Sequence, residues 1–170
     1  MAKKEVDYRT VLEEAVRVMG DMGLLLAAQD AKGTPNAMTI GWATPGIIWG
    51  KPILVAYVRP SRYTYKLIEE TSAFTVNVPT PELKRAVAFC GSVSGRDHDK
   101  FAEMNLTAAP AKHVPAPLIE ECPIQFECVV VHRNDVVPEE LTDEIRTGAY
   151  PAGDFHRCYF GEILACYAEG

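Results

Sequence analysis

Between Asn36 and Asn77 the chain reads NAMTIGWATPGIIWGKPILVAYVRPSRYTYKLIEETSAFTVN, and this stretch decides the fold. An apolar, strand-like segment comes first, with Trp42 and Trp49 flanking Thr44-Pro-Gly. A second strand, Ile53 to Val58, stops at Pro60, where Arg59-Pro-Ser-Arg-Tyr-Thr64 turns into a short helix over Tyr63–Thr71. Ala73 to Val78 then alternates apolar and polar residues, the period of a strand, and Pro79 ends it. Strands joined by turns and one short helix, without regular βαβα alternation, argue against a doubly wound parallel sheet.

Working outward, Val11 to Met19 has helical spacing, and Thr10 with Glu13 has the spacing of a capping box. This helix, about residues 10–20, is expected as an appendage to one domain spanning 1–170. Leu24–Gln29 is expected to pair with Ala37–Thr44 across the Asp30-Ala-Lys-Gly33 turn. Further on, Glu82–Phe89 is a helix introduced by Pro81, and Lys100–Met104 is another. Ala108 to Pro117, with three prolines, is an extended connection. Ile124 to Val130 and Tyr159 to Ala165 are strands, whereas Leu141 and Ile145 mark one face of an acidic segment that could be helical. The predicted class is mainly β with short helices, an antiparallel barrel closed or partly closed to hide its edges.

Composition excludes several functions. A net charge of −6 gives no basic footprint for nucleic acid. No apolar run approaches the roughly 20 residues of a membrane span, and MAKKEVDYRT has no apolar core of a signal peptide. Five cysteines without a C-x-x-C pair read as reduced thiols, so a cytoplasmic location is expected. No metal site is expected either, because Asp97-His-Asp99 are consecutive and converge poorly on one ion.

Three groups of residues are candidates for chemistry. Arg59-Pro-Ser-Arg-Tyr-Thr64 combines hydroxyls, guanidinium groups and a helix start, which together suit a phosphate. The same hexapeptide is also consistent with Ser61 as a plain N-cap and both arginines in water. Asn36, Thr39 and Trp42 form the second group, in which Trp42 either walls an aromatic ligand or packs into the core. Ser92 to Lys100 is the third; Gly91 and Gly95 lack the spacing of a nucleotide triphosphate loop, but Lys100 offers a second positive contact. Of the histidines, His132 continues a strand face, while His156 precedes the last strand and suits a site at the barrel mouth.

Together the blocks Asn36-Ala-Met-Thr-Ile-Gly-Trp42, Arg59 to Thr64 with Ile68, Phe74 to Pro79, Ser94 to Phe101, and Gly153-Asp-Phe-His156 with Tyr159 to Ile163 carry a resemblance. They occur in the order of the flavin reductase-like, FMN-binding split-barrel family, and the chain most resembles its flavoredoxin branch. The resemblance implies an antiparallel split β-barrel homodimer holding FMN without a covalent bond. Carried over, Asn36, Met38, Thr39 and Trp42 would line the flavin and its ribityl chain, and Asn77 would touch the ribityl or the ring edge. Ser61 and Thr64, with Arg59 or Arg62, would hold the phosphate together with Lys100. His156 would lie where a nicotinamide could stack, and NADH or NADPH would be a transient reductant. Electrons would then pass to free flavin or to another acceptor such as a redox-partner protein; alternatives are an electron carrier without NAD(P)H activity, or a non-redox ligand-binding barrel. Two features depart from the family pattern: residues 134–150 are long and acidic, and Phe155 separates Asp154 from His156.

Overall fold

A computed structural model describes residues 2–170. Among the described residues there are ten strands: β1 (Lys3–Glu5), β2 (Leu24–Gln29), β3 (Pro35–Ile40), β4 (Ala43–Ile48), β5 (Lys51–Val58), β6 (Ala73–Val78), β7 (Ala108–Pro110), β8 (Pro117–Ile119), β9 (Ile124–Asp135) and β10 (Arg157–Glu169). Between them lie α1 (Leu12–Asp21), α2 (Tyr63–Thr71), α3 (Lys84–Ser92), α4 (Lys100–Met104) and α5 (Asp143–Ala149). Eight strands form one antiparallel sheet in the order β3-β2-β6-β9-β10-β5-β4, with β1 added to β10, and β7 and β8 pair separately. Both end strands of that order, β3 and β4, come from the decisive stretch, and the chain passes directly between them through Gly41 and Trp42.

The burial pattern explains the sequence pattern. Leu24, Leu26 and Ala28 face the barrel interior with Met38, Phe74, Phe126 and Tyr159. Leu25 and Ala27 point the other way, into a second core formed with Ala86, Val87 and Cys90 of α3 and Phe101 of α4. A strand covered on both faces reads as a continuous apolar run, which is why LLLAA does not alternate. Helix α1 starts one residue after the expected Val11 and runs past Met19 through Gly20 to Asp21. Its Thr10 hydroxyl donates to the carbonyl of Asp7, so no capping box forms. Ala15 and Val18 are buried in the interior core, so the helix is an integral wall of the packing.

The predicted partner of β2 is shorter than expected. Pairing with β3 stops at Ile40, and Ala43–Ile48 leaves as β4 to pair with β5. The Trp49-Gly50 turn closing that second hairpin has positive φ at both residues, 55° and 69°, as a tight two-residue hairpin with right-handed strand twist requires. The proline-rich connection also differs from expectation, because its ends form β7 and β8. It is pinned by polar side chains on the outer face of β6 and β9. The Thr75 hydroxyl donates to Pro117 O, Gln125 Nε2 donates to Ile119 O, and the Glu127 carboxylate accepts from the amides of Lys112 and His113.

Asn77 belongs to this bracket, and its assignment to the flavin is corrected here. It is 0% exposed, its Nδ2 donates to Leu25 O and Thr75 Oγ1, and its Oδ1 accepts from Ile119 N. A buried amide with these bonds satisfied holds the β8 connection to the sheet and has no group left for a ligand.

Candidate flavin-binding groove

Two cavities meet along β3 and the start of α2. The first, about 210 Å3, is lined by Asn36, Arg62, Thr64, Ser94, Gly95, Arg96 and Lys100 among others. The second, about 190 Å3, is lined by Met38, Thr39, Trp42, Tyr57, Arg59, Arg62 and His156 among others. Met38 and Arg62 border both, so the two form one groove with a polar and an aromatic end.

The polar end is built for an anion. Arg62, Arg96 and Lys100 line it and no carboxylate does, in a protein of net charge −6. No side chain caps α2, and its first residues, Tyr63 and Thr64, form part of the wall. A helix start with open amides favours negative charge. Lys100 is 4% exposed, and its ammonium donates to Ala37 O at 2.8 Å and to Cys90 O at 2.9 Å. Two of its three protons are thereby oriented, and the third remains for a ligand. Burial lowers its pKa from the ordinary lysine value, an effect that a bound anion would reverse. Thr64 Oγ1 accepts from Asn36 Nδ2 at 2.9 Å, which leaves its own proton to donate. Gly95 completes the cradle, since a Cβ there would lie 2.2 Å from Asn36 Oδ1 and 2.8 Å from Tyr63 Cδ1. The residues present therefore fit a phosphate monoester.

Half of the Arg59–Thr64 turn does something else. Ser61 does not cap the helix, because Arg62 occupies that position. The Ser61 hydroxyl donates to Asp154 Oδ2 at 2.5 Å. Arg59 donates to the carbonyls of Ala149, Gly153 and Asp154 and lies 5.0 Å over the Tyr150 ring. Arg59 and Ser61 thus clamp the loop before β10, and Ser61 also lines the anion cavity beside Arg62 and Thr64. Of the two arginines left open by the sequence, Arg62 lines the polar cavity and Arg59 does not. The Thr39 hydroxyl is likewise committed, donating to Val87 O, so Thr39 contributes to the wall without a free hydroxyl.

At the aromatic end, Trp42 is half exposed beside His156, with ring centroids 4.8 Å apart. His156 is buried, and its Nδ1 lies 2.8 Å from the hydroxyl of Tyr150. Burial, reinforced by the positive charges of Arg59 and Arg62, pushes the imidazole pKa down from 6.5 to about 4. The ring is neutral at pH 7. Because the folded pKa is the depressed one, this contribution to stability is complete above 6.5 and is lost as pH falls toward 4. Acidification across that window should destabilise the protein by on the order of 1–2 kcal/mol, allowing for solvent screening at the open cavity. Urea unfolding at pH 7 and pH 4.5 checks this, and the His156→Gln variant should lack that part of the pH dependence.

Tyr57 and Tyr150 were not singled out from the sequence as site residues, and Gly95 and Arg96 only within the Ser92–Lys100 loop. Gly95 and Arg96 had a signal in their closeness to Lys100, but Tyr150 meets Arg59 only through the tertiary fold. Trp49 lies away from the groove, against His132 and Phe160. His132 is exposed there, at the end of the strand face it continues. Among the described residues no cluster of His, Cys, Asp or Glu could hold a metal ion, and no helix is long and apolar enough to cross a membrane.

Known proteins were compared with this chain. A curated but uncharacterized protein of Archaeoglobus fulgidus is 35% identical over 130 residues, covering 76% of this chain and 63% of that protein. This chain therefore spans less than two thirds of that relative. Among solved structures, flavoredoxin of Desulfovibrio vulgaris (Miyazaki F) superimposes with a TM-score of 0.70 at 27% identity, covering 86% of this chain and 69% of that one. Flavoredoxin from Methanosarcina acetivorans gives 0.67 at 28% identity, covering 87% and 69%. The antiparallel barrel with two unjoined end strands is the split barrel of these structures. With the family model "Flavin reductase like domain" matching residues 18–170, the chain belongs to the flavin reductase-like family.

Proposed function

We propose that this protein binds FMN in the groove and works as a flavin reductase-type oxidoreductase, taking hydride from NADH or NADPH and passing electrons onward. The observation that carries this reading is the continuous groove itself. A cation-lined cavity without carboxylates adjoins an aromatic cavity, and they share Met38 and Arg62. Lys100, Arg62, Thr64 and the start of α2 hold the phosphate, and Asn36 orients the Thr64 hydroxyl. Trp42 and Met38 wall the flat ring system, and His156 offers it a neutral imidazole. Bound there, FMN supplies a two-electron carrier, while the protein supplies orientation, electrostatics and access. Buried positive charge near the groove favours an anionic reduced flavin. A homodimer in the cytoplasm belongs to the proposal; Ile47 and Trp49, 64% and 60% exposed, form an apolar surface suited to a second copy.

The test is direct. Protein incubated with FMN and desalted should retain visible flavin absorbance. Anaerobic mixing with NADH or NADPH should then bleach it within seconds. Loss of all flavin on desalting, together with no measurable FMN affinity, overturns the proposal. A second reading, an FMN electron carrier served by protein partners, is favoured by the likeness to two flavoredoxins at 27% and 28% identity. Retained flavin that neither nicotinamide nucleotide bleaches selects that reading.

A further inference from the structure

A third cavity, about 590 Å3, adjoins the aromatic end of the groove and shares Gly41, Trp42 and Tyr57 with it. Its outer wall is the segment that departs from the family pattern, contributing Val136, Leu141, Ile145, Ala149 and Tyr150. No charged residue lines it. The segment is otherwise acidic, with Glu139, Glu140, Asp143 and Glu144 all exposed. Apart from the exposed Val137, its large apolar residues are thus gathered on the side that faces the cavity. Helix α5 does not close onto the barrel: none of its residues is buried, and Ile145 is 49% exposed although it lines the hollow. The helix is held at this distance by its C-terminal end, where Arg59 grips Ala149 O and stacks on Tyr150, whose hydroxyl meets His156.

We propose that this chamber is a separate binding site for a neutral, flat, largely apolar ring molecule, placed beside the flavin groove and on the other side of their shared residues. Aromatic faces of Trp42, Tyr57 and Tyr150 suit a planar ring system. An anion entering would lose hydration without gaining a counter-charge, because the nearby cations are committed elsewhere: Arg59 to three carbonyls, and Lys100 and Arg96 to the phosphate end. The Tyr150 hydroxyl is occupied by His156, which leaves Thr44 and Tyr57 as the polar groups of an otherwise apolar lining. The site does not depend on the flavin reading, since its walls are formed by the chain alone.

Isothermal titration calorimetry with 2-naphthol and 2-naphthoate, on flavin-free and on FMN-saturated protein, tests this. One 2-naphthol should bind per chain in both preparations, and 2-naphthoate should bind at least tenfold more weakly. Ile145→Arg, at a half-exposed position that should not disturb folding, should weaken 2-naphthol at least tenfold and strengthen 2-naphthoate, with FMN affinity unchanged. Equal affinity for the two probes, an unaltered 2-naphthol affinity in Ile145→Arg, or competition between 2-naphthol and FMN would each overturn the proposal. So would a dimer that Ile145→Arg dissociates while the wild type binds no probe, because the face would then be a contact between copies. Failure of FMN to bind leaves the flavin-free titration intact, so the two proposals fail separately.

Discussion

Replacing Lys100 with Met should weaken FMN binding about 100-fold, close to 2.7 kcal/mol, and leave riboflavin binding nearly unchanged. The side chain is buried at the anion end of the groove, with two protons on Ala37 O and Cys90 O and the third free for a ligand. Methionine reproduces the unbranched stem up to the ε position and so keeps the packing, but it removes the charge and the donor. A hydrogen bond to a charged group contributes about 1.5–3 kcal/mol, and here the burial of the charge places the expectation near the top of that range. Riboflavin lacks the phosphate and serves as the internal control. If both flavins weaken equally, Lys100 shapes the groove without contacting phosphate; thermal melts alongside report any loss of folding from the two carbonyls left without a donor.

The second large effect is on stability. Gly161 lies at a register shift of β10, paired with Leu54 on one side and Val130 on the other. A Cβ at this position would stand 2.5 Å from Phe74 Cζ and 2.8 Å from Cys128 Cβ. Both neighbours are fully buried, so neither can swing aside into solvent. Gly161→Val should therefore destabilise by about 3 kcal/mol or more, at the upper end of what overpacking costs in a close-packed core. Chemical denaturation of the flavin-free protein measures this. A loss below about 1 kcal/mol would mean that β10 can shift its register to make room.

Several features of the site show how far local sequence carries. The helix after Pro60 and its open N-terminus are local: Pro60 ends β5, Tyr63 to Thr71 has helical spacing, and a helix start exposes amides whatever surrounds it. Lys100 at the head of α4 was legible for the same reason. Ser61 was misleading because capping preferences describe an isolated helix, whereas Asp154, 93 residues away in sequence, accepts its hydroxyl proton. Asn77 was assigned to the flavin by the family resemblance, and period 2 could not correct it, because it tells that two faces alternate but not what covers the outer one. In the fold that cover is the β8 connection, whose Ile119 amide donates to Asn77 Oδ1, while Leu25 O and Thr75 Oγ1 accept the asparagine's amide protons.

Alternation, proline stops and turn residues, by themselves, determined an antiparallel mainly-β protein with short helices, and the order of its motifs determined the family resemblance. These are properties of near neighbours along the chain, set by steric and hydrogen-bonding rules that act over a few residues. Only the tertiary structure decided how the Arg59–Thr64 turn divides its labour. Arg59 and Ser61 hold the loop before β10, Arg62 and Thr64 face the anion cavity, and Tyr150 pairs with His156 beside Trp42. Those choices depend on which carbonyls, carboxylates and rings arrive from distant parts of the chain, and a side chain's donors go to the partners that burial brings within reach.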